Sequence, residues 1–351
     1  MTYKVRLICL KCSPILIFLL FFQPVFSQYD FGQVDQMLQQ NQKALGKEFV
    51  ALVWKDGKLI YQKEMGDFNA KTPAPIASCS KWLTAALVMT FVDEGKISLD
   101  DKVTKYLPIF GKYMKGYITI RNCLSHTTGV QAESGSLMRI VSRKKFETLE
   151  EEVNYFATKR EITSNPGTEF FYSNVGMDIA GRVLEVVSRK TFDRLMLERI
   201  FRPLKMKNSS FSVYDNSAVN PSGGAQSSAN DYLNFLIMIL NKGMFNGKRI
   251  LSEKAIAEMG KAQFPDLPVK YTPKVAEGYH YGLGEWILES DSKGNTTVMS
   301  SPGLFGTWPY VDLCRDYAAI FFVKSLLNEE KKELYLQFKE SIDGQIPKKC
   351  E

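Results

Sequence analysis

Histidine is almost missing from this chain: 351 residues hold two, His126 and His280. That scarcity argues against a His-based metal centre, and any Ser-His-Asp triad would have to use one of the pair. No G-x-S-x-G turn occurs, so the strand–turn–helix that presents the serine of many hydrolases is absent too. Cysteine is equally thin. Of six, four lie beyond residue 27 (Cys79, Cys123, Cys314 and Cys350). None of these four forms a C-x-x-C pair or a Cys/His cluster with metal spacing, which argues against structural zinc. There is no internal repeat, no low-complexity linker and, past the start of the chain, no apolar run near the ~20 residues a membrane helix needs. Neither a metal nor an organic cofactor is called for.

The start is different. Lys4, Arg6 and Lys11 precede an unbroken apolar run from Ile15 to Phe22, and Val25-Phe26-Ser27 then lead to Gln28. This is the layout of a cleavable secretory signal. The sequence therefore predicts a signal peptide over residues 1–27, a mature chain from 28 to 351, and export to the periplasm or the medium. The residue directly after the cut is Gln28 and not a cysteine, so no lipid anchor is expected, nor any stable membrane insertion afterwards. Cleavage removes three positive charges and no negative ones, taking the formal charge from +7 to +4. The remaining cations are scattered, the densest at Arg143-Lys144-Lys145 and Lys348-Lys349, and give nucleic-acid binding no support. The mature length (351 − 27 = 324) suits one large domain, expected to be a monomer.

Element order carries more. Phe31 to Leu45 reads as a short helix. Phe49–Trp54 and Leu59–Tyr61 flank Asp56-Gly57, a two-residue hairpin signal. From Ser78 to about Ile256 the pattern is mostly helical. Strand-like runs return at Trp286–Leu288, Thr296–Val298, Trp308–Val311 and Tyr317–Val323, and an amphipathic helix from about Glu329 to Ile342 closes the chain. Strands at both ends with helices between them predict an α/β fold: an antiparallel sheet built from both chain ends, flanked by helices, with a largely helical inserted subdomain. The sheet part is expected over about 28–75 plus 275–351 and the helical part over about 76–274, with a site at their seam.

Three stretches could carry chemistry there. In Pro75-Ile-Ala-Ser78-Cys-Ser-Lys81, Ser78 and Lys81 share one face of a helix whose continuation is apolar nearly all round. Burial disfavours a lysine's charged form, so Lys81 is placed to accept the Ser78 proton, and the helix N-terminus favours a developing oxyanion. The plainer reading makes Ser78 a helix cap and lets Lys81 reach solvent. In Pro166-Gly-Thr-Glu-Phe-Phe-Tyr172-Ser-Asn174, an extended backbone puts Tyr172 and Asn174 on one side. Tyr172 is a candidate proton carrier and Asn174 a candidate contact for the lysine and a substrate carbonyl. Alone, the stretch reads as an aromatic core turn. The third stretch, Ser300-Ser301-Pro302-Gly303-Leu304-Phe305-Gly306-Thr307, is a glycine-bearing turn ahead of a strand.

Together the three resemble the β-lactamase-related serine hydrolase family, which includes class C β-lactamases, D-alanyl-D-alanine carboxypeptidases and several esterases. Thr119-Ile-Arg-Asn-Cys-Leu-Ser-His126-Thr-Thr-Gly129 is similar to that family's TIRxLLSHTSG segment. Gly223–Ala229, Gly247–Leu251 and Tyr281–Gly284 also match, in order, from about Phe31 to Phe338. The resemblance implies a β-lactamase/transpeptidase-like fold, Ser78 as nucleophile, Lys81 as its general-base partner, Tyr172 as proton shuttle and Asn174 as substrate contact. It implies an oxyanion hole from the backbone N–H groups of Ser78 and Leu304, with Ser301 and Gly303 lining the substrate side. Family members that act on β-lactams or peptide termini usually carry Lys or His where Ser301 stands, and a serine offers a substrate carboxylate only a neutral hydrogen bond. The expectation is therefore hydrolysis of a small-molecule ester or amide, with esterase or peptidase-like action ahead of β-lactamase. The alternatives are a fold-retaining binding protein with little turnover and a class C-like β-lactamase.

One pairing is expected among the cysteines. The strand Tyr317–Val323 and a returning helix of similar length bring the tail back beside the strand's start, so Cys350 meets Cys314. Cys79 and Cys123 read as small core thiols.

Overall fold

The computed structural model describes residues 29–132, 145–211, 217–324 and 331–350, with Met1 besides. The remainder of the expected signal segment and the pair Arg143-Lys144 lie outside the described residues.

The architecture grows from the hairpin near the start. β1 (Phe49–Lys55) and β2 (Lys58–Met65) join through Asp56 and Gly57, both with positive φ (49° and 80°). That pair of dihedrals matches a type I′ turn, whose twist suits two antiparallel strands. Five more strands come from the other end: β3 (His280–Tyr281), β4 (Trp286–Ser290), β5 (Thr296–Ser300), β6 (Trp308–Asp312) and β7 (Tyr317–Val323). They form one seven-stranded antiparallel sheet in the order β2-β1-β7-β6-β5-β4-β3. The two ends of the chain meet at the β1–β7 pairing, which runs from Phe49 opposite Val323 to Lys55 opposite Tyr317.

Every residue of β7 is buried, because each face of the sheet carries its own core. Side chains alternate across a strand. Val50, Leu52, Ala318, Ile320 and Phe322 point into one cluster with the helices of the middle segment. Phe49, Ala51, Val53, Phe321 and Val323 point into the other. The latter is closed by α1 (Gly32–Gln40) and the C-terminal helix α7 (Lys332–Asp343), through Val34, Leu38, Tyr335, Phe338 and Ile342. The first helix is shorter than the sequence suggests: after Gln40 the chain breaks into turns that end with Gly46 and Lys47 at φ 80° and 68°.

The middle segment supplies α2 (Cys79–Asp93), α3 (Ile120–Leu124), α4 (Leu149–Lys159), α5 (Val175–Ser188) and α6 (Ala229–Leu240). α2 is the axis of this layer, buried from Cys79 to Phe91. Each large apolar side chain withdrawn from water in this way contributes roughly 1.5–3 kcal/mol. α2 stops at Asp93, with Gly95 just beyond it in the left-handed region at φ 67°. The short helix α3 is closed by a Thr119–Asn122 capping box and packs against α5, where a Cβ on Gly176 would fall 2.1 Å from the Cys123 carbonyl oxygen. At the far end, Cys314 and Cys350 are joined as a disulfide with Cα atoms 5.1 Å apart, and Cys79 and Cys123 are free and buried.

Candidate active site

Ser78 stands at the head of α2, and the turn leading to it is held under backbone strain. Ala77 has φ 45°, a region that residues with a side chain seldom adopt. The surroundings enforce it. The Ile76 N–H donates to the Ala225 carbonyl (3.0 Å), the Ala225 N–H donates to Ser80 Oγ (3.1 Å), and the Tyr232 hydroxyl donates to the Cys79 carbonyl (2.8 Å). The side chain of Ser78 makes no capping hydrogen bond to α2, so the plainer role of helix cap is not the one it fills.

Lys81 lies one turn further on and does not reach solvent, being 1% exposed. Its Nζ is 3.3 Å from Ser78 Oγ, 3.0 Å from Asn174 Oδ1 and 2.8 Å from the Ser222 carbonyl oxygen. It also sits 5.0 Å from the centroid of the Tyr172 ring. These partners are a hydroxyl, an amide, a peptide oxygen and an aromatic face, all neutral.

Tyr172 and Asn174 meet at the lysine, but not by alternation along a strand. Only Phe170–Phe171 is extended, and Asn174 already has helical backbone (φ −85°, ψ −25°) at the entry to α5. Tyr172 lays its ring beside the ammonium while Asn174 reaches it from the helix head. His126 packs against them, its ring centroid 4.5 Å from that of Tyr172, and its Nδ1 accepts the Ser173 N–H at 3.3 Å. Burial first, and then the charge of Lys81, hold the imidazole well below its usual pKa, so it is neutral packing for the chain entering α5. His280 is exposed on β3.

The third stretch closes the site from the sheet. Ser301 is buried, with Oγ 3.3 Å from the Ser78 carbonyl oxygen and 3.2 Å from that of Gly284. Its hydroxyl is thus turned to the backbone, tying the serine turn to the approach of β4, rather than offered to a ligand as the sequence suggests. Gly303 abuts the same turn: a Cβ there would lie 2.4 Å from the Ile76 carbonyl oxygen and 3.1 Å from Cys79 Sγ. The following loop is tight, with Gly303 N–H donating to the Thr307 carbonyl (2.8 Å) and Gly306 N–H to the Gly303 carbonyl (2.9 Å). Among the described residues neither the Ser78 nor the Leu304 N–H has an acceptor. An unengaged N–H at the head of α2 is the kind of donor a developing oxyanion requires. The other half-buried side chains of this loop, Pro302, Leu304 and Phe305, are apolar.

The structure thus brings Ser78, Lys81, Tyr172, Asn174, Ser301, Gly303 and Leu304 to one seam between the helical layer and the sheet. The Ser222 carbonyl is the contact that sequence reasoning does not find. The only local signal is the pair Gly223-Gly224, which permits the tight turn carrying it. Among the described residues no three His, Cys, Asp or Glu side chains gather as a metal site would need.

Comparison with known proteins gives the family and the fold. The family model described as Beta-lactamase matches residues 34–339. Protein Rv1367c of Mycobacterium tuberculosis is 24% identical over 341 residues, covering 78% of this chain and 85% of its own. A crystal structure from Bacteroides dorei, described as a candidate β-lactamase, superposes with a TM-score of 0.80 at 30% identity, covering 91% of this chain and 99% of the other. EstCE1, described as a hydrolase with promiscuous acyltransferase activity, shares the fold at a TM-score of 0.71 and 19% identity, over 88% of this chain and 97% of its own.

Proposed function

The chain belongs to the beta-lactamase family, and from that premise we propose that it is a serine hydrolase cleaving an ester or amide through an acyl-enzyme on Ser78. The observation that carries the reading is the buried Lys81 Nζ, 3.3 Å from Ser78 Oγ and 3.0 Å from Asn174 Oδ1. In the proposed reaction Lys81 first gives its ammonium proton to solvent; the neutral amine then takes the hydroxyl proton as Oγ attacks the carbonyl carbon, and the N–H groups of Ser78 and Leu304 receive the oxyanion. Collapse breaks the bond to the leaving alcohol or amine, which takes up a proton relayed by Lys81 and Tyr172. Water then attacks the acyl carbon, gives its proton back through the same groups, and releases the acid. Every step uses groups of this chain.

Specificity follows from what Ser301 lacks. The position carries no cation for a substrate carboxylate, and the nearby loop presents Leu304 and Phe305. Neutral esters are therefore the favoured substrates, ahead of β-lactams. The Cys314–Cys350 bridge favours export to an oxidising compartment, since disulfides persist there and seldom in the cytosol.

A fluorophosphonate probe tests the nucleophile. Intact-mass measurement should show one adduct, mapped to Ser78, absent from Ser78→Ala. Lys81→Ala should lower kcat on p-nitrophenyl esters by several orders of magnitude, because the serine is left at its ordinary reactivity. Undiminished ester turnover by purified Ser78→Ala would end this reading. A parallel screen with nitrocefin and D-Ala-D-Ala peptides tests the substrate class: nitrocefin turned over as efficiently as neutral esters would make this a β-lactamase that binds the carboxylate by another group.

A further inference from the structure

What fixes Lys81 from the far side is a backbone carbonyl, and that carbonyl belongs to a loop seated on α5. Asn174, Asp178 and Gly181 are spaced i, i+4 and i+7, so they share one face of the helix. Each does a different job on that face. Asn174 Oδ1 accepts from Lys81 Nζ directly (3.0 Å). Asp178, fully buried, accepts the Ser222 N–H through Oδ1 at 3.2 Å. Gly181 leaves room for the ring of Pro221: a Cβ there would fall 2.7 Å from Pro221 Cγ and 3.1 Å from its Cβ.

The loop is stapled elsewhere as well. Thr84 Oγ1, one turn beyond Lys81 on α2, donates to the Pro221 carbonyl at 2.7 Å. Asn220 Oδ1 accepts both from the Ser222 N–H (3.1 Å) and from its hydroxyl (2.6 Å). The outcome of these contacts is a Ser222 carbonyl oxygen 2.8 Å from Lys81 Nζ.

We infer that Asp178 and Gly181 are positioning residues: they dock the Asn220–Gly224 loop on α5 so that the Ser222 carbonyl orients the Lys81 amine toward Ser78. The inference rests on the hydrolase reading of Ser78 and Lys81 for its kinetic consequence, though not for its geometry. A carbonyl with no docked loop behind it would leave the amine free to rotate away from the serine. Displacing a reacting group by about 1 Å costs on the order of a hundredfold in rate. Substrate binding uses other groups, so the loss belongs in kcat and not in KM.

The test compares Asp178→Ala, Asp178→Asn and Gly181→Ala with the wild type, on a p-nitrophenyl ester and by the rate of fluorophosphonate labelling. Circular dichroism establishes that each variant is folded. Asp178→Ala and Gly181→Ala should each lose about 30- to 100-fold in kcat, with matching slower labelling and KM within about threefold. Asp178→Asn keeps an oxygen that can accept the Ser222 N–H and should recover most of the loss, to within about tenfold of wild type. Folded Asp178→Ala and Gly181→Ala proteins that keep wild-type kcat and labelling rate would overturn the positioning while leaving the hydrolase intact. A wild type that neither labels nor turns over would instead sink the hydrolase reading. In that case crystal structures of the two variants decide the geometry: a Ser222 carbonyl still within 3.5 Å of Lys81 Nζ in both overturns the inference, and a displaced one upholds it.

Discussion

Glu285 carries a carboxyl group into the interior, 1% exposed, and neither of its oxygens has a hydrogen-bond partner among the described residues. Burial holds its pKa well above the carboxylate range, so the folded protein keeps it protonated while an unfolded chain would ionise it near 4.3. A raised folded-state value means the native state binds the proton more tightly. That preference supports the fold fully below the unfolded pKa and is lost as pH rises through the gap toward the folded one. Glu285→Gln has no proton to keep. The variant should match the wild type near pH 4 and become progressively more stable than it as pH rises above that value. Urea midpoints at pH 4, 6 and 8 check this, and a pH-independent difference would show that the carboxyl is ionised or solvated when folded. Legibility at this scale divides sharply. Ser78 and Lys81 can be read because their spacing on an apolar helix is itself a pattern. Asp178 and the Ser222 carbonyl cannot. Their link to Lys81 spans 97 and 141 positions (178 − 81 and 222 − 81), and every residue has a carbonyl.

The elements meet most closely where the loop after β5 touches the head of α2. Gly303 lies against the Ile76 carbonyl, and the α7 side chain Tyr335 donates its hydroxyl to the Gly306 carbonyl at 2.8 Å, so the loop is held from both sides. Gly303→Ala would drive a methyl group to 2.4 Å from the Ile76 oxygen, a distance that forces the loop and the turn apart. The Leu304 N–H would then leave the oxyanion position proposed for it. Loss of one such donor typically lowers kcat by about 10²–10³-fold, and that is the expected result on an ester substrate. A Gly303→Ala enzyme with wild-type kcat would show that this N–H takes no part. The sequence does predict the hairpin at Asp56-Gly57 and the run of β7, because turn dihedrals and an apolar β-rich run are local signals. It overextends α1 past Gln40, and it treats Tyr172 to Asn174 as strand. The first is ended by the turns that run to Gly46 and Lys47, and the second by the start of α5, whose entry Asn174 already has helical backbone.

For the whole molecule, the decisive fact is that one sheet borrows strands from both ends of the chain and buries both faces. Its outer core relies on α1 and α7, and α7 is the last helix before the terminus. A terminal helix tends to fray unless its end is tied down. Here the tie is covalent: the Cys314–Cys350 bridge spans 36 positions and encloses β7 and α7 together, while the Lys349 N–H donates to the Cys314 carbonyl at 2.9 Å. Beneath the helix, Lys339 is buried among Asp343 (2.6 Å), Glu289 (2.9 Å) and Asp312 (3.5 Å), a network that holds only while α7 stays docked. In the chain-entropy picture, closing a loop of this length stabilises the native state by about 2–4 kcal/mol. For a domain above 300 residues this corresponds to roughly 3–6 °C in Tm. Cys350→Ser should therefore lower Tm by that amount. Hydrogen exchange should quicken first in α7 and its partner β7, and least in α2, whose core lies on the other face of the sheet. Since Tyr335 of α7 also holds the Gly306 carbonyl, ester turnover should fall at temperatures where α7 frays, before global unfolding. Tm unchanged in Cys350→Ser, with α7 amides protected as in the wild type, would mean that packing alone secures the terminus.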